Sequence, residues 1–172
     1  GDPHILLPNS SSLTWIERGH RLLFSEIKVG LHMVIVTTDE GRGNRREVYQ
    51  PPGDRGMAHH SYLSPDGRWV AYVSNESGTG EVYVVPFPGP GGKWQVSNGG
   101  GQYPKWSHDG AELFYLAAGN KLMVAAVNGK GASFEIGAVK TLFETRAVTG
   151  LGHPFNVSAD GQRFLINTLP EQ

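Results

Sequence analysis

Three features of this 172-residue sequence predict an all-β fold made of tandem four-stranded antiparallel sheets. A four-residue turn motif recurs along the chain. Short runs dense in β-branched and aromatic residues flank it, and no segment of ten or more residues keeps a helical apolar stripe. Repeat periods in the forties belong to propeller blades, so the fold class predicted is a β-propeller of about four blades with the last incomplete.

The turn motif is Ser-x-Asp-Gly. It stands at Ser64-Pro65-Asp66-Gly67, Ser107-His108-Asp109-Gly110 and Ser158-Ala159-Asp160-Gly161. Ile16-Glu17-Arg18-Gly19 is a degenerate copy, placed after Trp15 as Ser107 is placed after Trp106. Successive copies begin 48, 43 and 51 residues apart. The chemistry suits a tight turn: proline presets φ, aspartate hydrogen-bonds the backbone beyond it, and glycine takes the positive φ that ends it.

Strands follow in order. Residues 32–37 and 46–49 complete the first unit (9–52), and 69–74, 81–85 and 93–96 follow the turn of the second (57–98). The third unit (100–146) has 112–116, 121–126 and, after a longer loop, 140–143. The fourth (151–172) holds 155–157 and 163–166 and then runs out of residues. Glycine-rich breaks at 89–92 and 98–101 separate strands or units. Two completions of the last blade are open. The apolar segment 4–8 could pair into it, or these residues could be part of a larger ring completed by further sequence or by a second copy. Open strand edges make self-association an expectation.

Composition narrows the function classes. Fifteen Lys and Arg against sixteen Asp and Glu give a net charge of −1, which creates no field for nucleic acid or an anionic membrane. Cysteine is absent, which excludes disulfides, thiolate metal sites and a cysteine nucleophile. No run of 18 apolar residues predicts membrane insertion. Neither Gly-x-Ser-x-Gly nor His-Glu-x-x-His occurs.

The string 64–72, Ser-Pro-Asp-Gly-Arg-Trp-Val-Ala-Tyr, with Glu81-Val82-Tyr83-Val84-Val85 and Lys93-Trp94-Gln95-Val96-Ser97, resembles a TolB-like, WD-repeat-like propeller blade. It is similar more narrowly to the C-terminal propellers of bacterial eukaryotic-like serine/threonine kinases. The resemblance runs through Trp106-Ser107-His108-Asp109-Gly110 to Ser158-Ala159-Asp160-Gly161, over about residues 11 to 169. It implies a propeller fold, a bacterial source and a periplasmic or extracytoplasmic setting. It is weak for function, because related propellers serve as binding platforms, peptidase gating domains and occasional lyases. No kinase motif lies within the sequence.

Aligning the units on the turn places Ser11, His59, Gln102 and His153 at one equivalent position, ahead of the innermost strand and so near the mouth of the central channel. Arg55, His59 and His60 form the densest polar cluster of a connecting loop, and Tyr103 adds an aromatic beside Gln102. These seven residues are the candidate binding set for a protein or peptide partner. No catalytic residue and no cofactor is assigned. A divalent metal at His59, Gln102 and His153, serving a lyase or hydrolase, is the alternative function, since neutral imidazole suits several transition metals. A third is a structural, self-assembling propeller fragment. The basic run from Arg42 to Arg46 reads as a solvated turn, and Trp15 and Trp106 read as packing between blades.

Overall fold

The computed structural model describes residues 10–16, 21–28, 32–39, 45–52, 57–131, 133–150 and 153–170. Among the described residues, its elements are strands and one 3-10 turn, Ala118–Asn120. The first sheet is β1 (Ser10–Ile16), β2 (Arg21–Lys28), β3 (His32–Asp39) and β4 (Arg45–Tyr49). The second is β5 (Ala58–Leu63), β6 (Trp69–Ser74), β7 (Glu81–Pro86) and β8 (Trp94–Gln95). The third is β9 (Gln102–Trp106), β10 (Glu112–Ala117), β11 (Lys121–Asn128) and β12 (Glu135–Glu144). A two-stranded sheet of β13 (Phe155–Val157) and β14 (Phe164–Ile166) follows. Each sheet is antiparallel, with neighbours in sequence order.

The three intact turn motifs fold alike. In the first, the Ser64 hydroxyl donates to Asp66 Oδ1 at 2.6 Å, and the Arg68 amide donates to the same oxygen at 3.1 Å. The Trp69 amide donates to Ser64 Oγ at 3.0 Å, and Gly67 sits at φ 74°. Ser107, Asp109 and Glu112 repeat the network, with Gly110 at φ 71°. Ser158, Asp160 and Arg163 repeat it again, with Gly161 at φ 71°. Motif and geometry correspond because the left-handed position costs a residue with a Cβ about 1–2 kcal/mol and costs glycine nothing comparable.

Side chains of a strand alternate between the two faces of its sheet, and here both faces of the middle strands are buried. On β6, Trp69, Ala71 and Val73 join one core with Leu113 and Tyr115 of the third sheet. Val70 and Tyr72, between them in sequence, join a second core with Leu23 and Ile35 of the first sheet. On β10, Leu113 and Tyr115 face the second sheet, while Phe114 and Leu116 join a third core with Phe155 of the last sheet. Every interface between successive sheets is therefore an apolar layer built from alternate residues.

Two boundaries differ from the sequence reading. Strand β12 begins at Glu135, five residues ahead of the apolar stretch expected, because its ladder to β11 runs from Asn128↔Glu135 to Lys121↔Glu144 whatever the side chains are. Most of β12 is exposed, so hydrophobicity did not mark it. Strand β5 begins at Ala58, so His59 and His60 lie inside a strand rather than in a connecting loop. The segment 4–8, offered as a completing strand, lies outside the described residues, as do Arg55 and the turn residues Arg42 to Asn44.

Leu113 has 0% of its surface exposed and Leu165 has 76%. Leu113→Ala should cost about 2–5 kcal/mol in denaturant unfolding, as buried leucine truncations do. Leu165→Ala should change the midpoint little, although both leucines sit in strands.

Candidate functional site

The inner strands share a defect in their pairing. Between His59 and Tyr62, β5 carries one residue more than the facing stretch of β6, from Val73 to Ala71. Strand β9 carries one more between Gln102 and Lys105 than β10 does between Leu116 and Phe114. Strand β1 does the same between Ser11 and Thr14 against Ser25 and Leu23 of β2. These are β-bulges at one register, a device that bends a strand and re-aims its side chains. Within them His60 has φ 50° and Tyr103 has φ 55°, left-handed values that cost a non-glycine residue about 1 kcal/mol or more. Backbone strain of this kind gathers at sites that use it.

The bulges bring a polar cluster together. His59 Nδ1 and His60 Nδ1 lie 2.7 Å apart, so one imidazole donates and the other accepts. The His60 ring lies against Tyr103, with centroids 4.4 Å apart. The Tyr62 hydroxyl of the second sheet shares a 2.8 Å hydrogen bond with Nδ1 of His153, just ahead of β13 in the last sheet. Lys105 Nζ stands 4.0 Å from the centroid of the Tyr62 ring, a cation–π contact. The Trp106 indole N–H donates to the Tyr62 carbonyl at 3.1 Å and fixes β9 against β5. Groups from the second, third and last sheets thus meet where their inner strands converge.

Burial sets the charge state. His60 is pushed down to about 4, chiefly by desolvation and then by its neighbours His59, His153 and Lys105. Burial also lowers His59, and burial with Lys105 lowers His153. It lowers the Lys105 ammonium and raises the Tyr62 hydroxyl to about 12. At neutral pH the cluster therefore holds neutral imidazoles, a neutral phenol and one ammonium.

Of the seven residues singled out in the sequence, His59, His60, Tyr103 and His153 belong to this cluster. Tyr103 is nevertheless mostly buried in the third core, its hydroxyl accepting the Gly150 amide hydrogen at 2.9 Å. Gln102 points away, its amide lying against Gly80 in the β6–β7 loop, where a Cβ would overlap its Nε2. Ser11 is placed on β1 opposite Ser25, and Arg55 lies outside the described residues. Of the three residues offered for a metal, Gln102 packs on Gly80, while His59 pairs with His60 and His153 bonds Tyr62. Among the described residues no three His, Asp or Glu side chains are grouped to hold a metal ion. Tyr62 and Lys105 were missed, although the turn alignment contains the signal: both stand two residues ahead of the motif serine. The aromatic residues Trp94 and Trp106 pack with Trp69 and Phe134 between the second and third sheets.

No protein-family model and no curated protein matches the sequence. Solved structures do match. TolB from Acinetobacter baumannii aligns over 92% of this chain and 37% of its own, with TM-score 0.65 and 19% identity. The fold is a TolB-like β-propeller. A second TolB-type structure, from Agrobacterium tumefaciens, aligns over 90% of this chain and 57% of its own at TM-score 0.59 and 18% identity. Oligogalacturonate lyase from Vibrio parahaemolyticus aligns over 87% and 42% at TM-score 0.59 and 16% identity. The TolB-like chain thus spans about two fifths to three fifths of the length of these proteins, and at such identities the likeness shows the fold alone.

The His60 environment in this TolB-like propeller can be read by its proton. Its folded value, about 4, lies below the unfolded value of 6.5, so the fold favours the neutral ring. That contribution is complete above pH 6.5 and is lost as pH falls from 6.5 through about 4. An NMR titration should give His60 a midpoint well below that of an ordinary histidine, and a midpoint at or above 6.5 would contradict the described burial.

Proposed function

We propose that this protein is a non-catalytic propeller segment that binds a protein or peptide at the end where β5, β9 and β13 begin. The observation that carries the reading is the convergence of the bulged inner strands. His60 and Tyr103 are held in left-handed backbone conformations, and Tyr62 of the second sheet bonds His153 of the last. Rigid sheets with buried faces hold this end in place, the usual arrangement of a binding surface on a scaffold. The TolB-like fold supports a binding or scaffold role. Because the same fold also houses the Vibrio lyase, fold does not choose between binding and catalysis, and the choice rests on the site. There each candidate metal ligand is engaged by a different neighbour. The motif resemblance to kinase-linked propellers extends the proposal: the segment acts as the sensor or scaffold part of a larger bacterial protein.

The reading is tested by selecting peptides from a display library and measuring their affinity for two variants. His153→Ala changes the convergent end and Arg163→Ala changes the turn end. Selected peptides should lose about tenfold or more in affinity with His153→Ala, as when a hydrogen-bonding group that the partner covers is removed, and little with Arg163→Ala. Peptides lost with Arg163→Ala but indifferent to His153→Ala, or no selected peptide at all, would count against this surface.

A further inference from the structure

Among the described residues, the four inner strands contain no acidic residue. Strand β1 reads Ser-Ser-Ser-Leu-Thr-Trp-Ile, β5 Ala-His-His-Ser-Tyr-Leu, β9 Gln-Tyr-Pro-Lys-Trp and β13 Phe-Asn-Val. Lys105 brings a half-buried ammonium into this wall. Its partner among the described residues is the Tyr62 ring, and it forms no ion pair with a described carboxylate. A partly desolvated charge without a counter-charge is costly, and an incoming anion relieves that cost.

Two described acids from the loop between β6 and β7 and the start of β7 are committed elsewhere. The Glu76 carboxylate accepts from the Tyr49 hydroxyl at 2.8 Å and pairs with Lys93 at 2.5 Å. Glu81 accepts from Ser97 Oγ and, at 2.8 Å, from the Gly100 amide. Neither reaches Lys105. Beside Lys105 stands a ready hydrogen-bonding pair, the Tyr62 hydroxyl and the exposed His153 imidazole.

We infer that the axis wall built by β5, β9 and the start of β13 seats one carboxylate of the bound peptide, with the Lys105 ammonium as its charged anchor and the Tyr62–His153 pair as the hydrogen-bonding rim. The inference rests on the peptide-binding reading above and names the chemistry of the partner. A single ammonium among neutral donors suits a monoanion. A phosphate dianion is held best by forked guanidinium groups, and none of the four inner strands contains arginine. The carboxylate can come from an acidic side chain or from the free C-terminus of a peptide, since both present the same two oxygens.

Three probe peptides separate these cases. Acetyl-tetra-aspartate amide carries carboxylates on its side chains, acetyl-tetra-alanine with a free C-terminus carries a terminal one, and acetyl-tetra-asparagine amide carries none. Binding is followed by NMR at the Lys105 and His153 side chains. At least one carboxylate peptide should shift both resonances, and the peptide that does so identifies the source. Its affinity should fall roughly tenfold or more in Lys105→Met, hold within a few-fold in Lys105→Arg, and weaken as salt is raised. Melting curves check that Lys105→Met stays folded; if it unfolds, loss of wild-type binding in high salt carries the same test. Equal shifts with tetra-asparagine would overturn the carboxylate seat while leaving peptide binding intact. Binding indifferent to both Lys105→Met and salt would overturn it too, as would carboxylate peptides that leave the axis resonances unmoved. Loss of the display-selected peptides with Arg163→Ala alone would instead fault the binding surface itself.

Discussion

Everything in this molecule depends on burying both faces of the middle strands. A sheet with one wet face needs apolar residues only at every second position. Here β6 is buried at all six positions, and β7 and β10 nearly so, because successive residues serve successive interfaces. Tyr72 faces the first sheet and Val73 the third, one residue apart. A slip of one residue in pairing would exchange these partners along the whole strand, so the register is fixed by two cores at once. That over-determination lets the inner strands carry irregularities a weaker sheet would not tolerate.

The bulges convert this rigidity into the candidate site. An extra residue in β5 and in β9 interrupts alternation at His60 and Tyr103, so polar side chains are turned toward the neighbouring sheets and partly buried there. Desolvation then holds His59, His60 and His153 neutral and leaves Lys105 as the charge of the cluster. Geometry and electrostatics at the convergent end thus have one origin in backbone pairing. The opposite end differs in kind: its Ser-x-Asp-Gly turns satisfy their own carboxylates within four or five residues.

The repeat was legible because its turn is chemically exacting. Serine, aspartate and glycine each make a contact that few other residues can make, so the motif survives at Ser64, Ser107 and Ser158 and marks the sheets. The dense runs at 69–74 and 112–116 were legible for the opposite reason, since burial on both faces admits little but apolar residues. Strand β12 was half hidden because its exposed face admits Glu135, Gly137 and Lys140 alike. For the candidate residues, register was legible in the sequence and side-chain direction was not. Turn alignment found His59, Gln102 and His153, but a bulge has no signature in residue type. Nothing in the sequence showed that Gln102 turns to Gly80 while Lys105 and Tyr62 face each other. Pairing between sheets decides such directions.

The account stands on the convergence of inner strands from different sheets about one axis, and the contact that expresses it most directly joins Tyr62 to His153 across 91 residues of sequence. Nuclear Overhauser contacts between the Tyr62 ring and the His153 imidazole measure that convergence. Clear cross-peaks are expected, alongside those between Phe114 and Phe164 within the third core. Cross-peaks for the core pair with none between Tyr62 and His153 would mean that the sheets stack without a shared axis, and the proposed seat would have no walls.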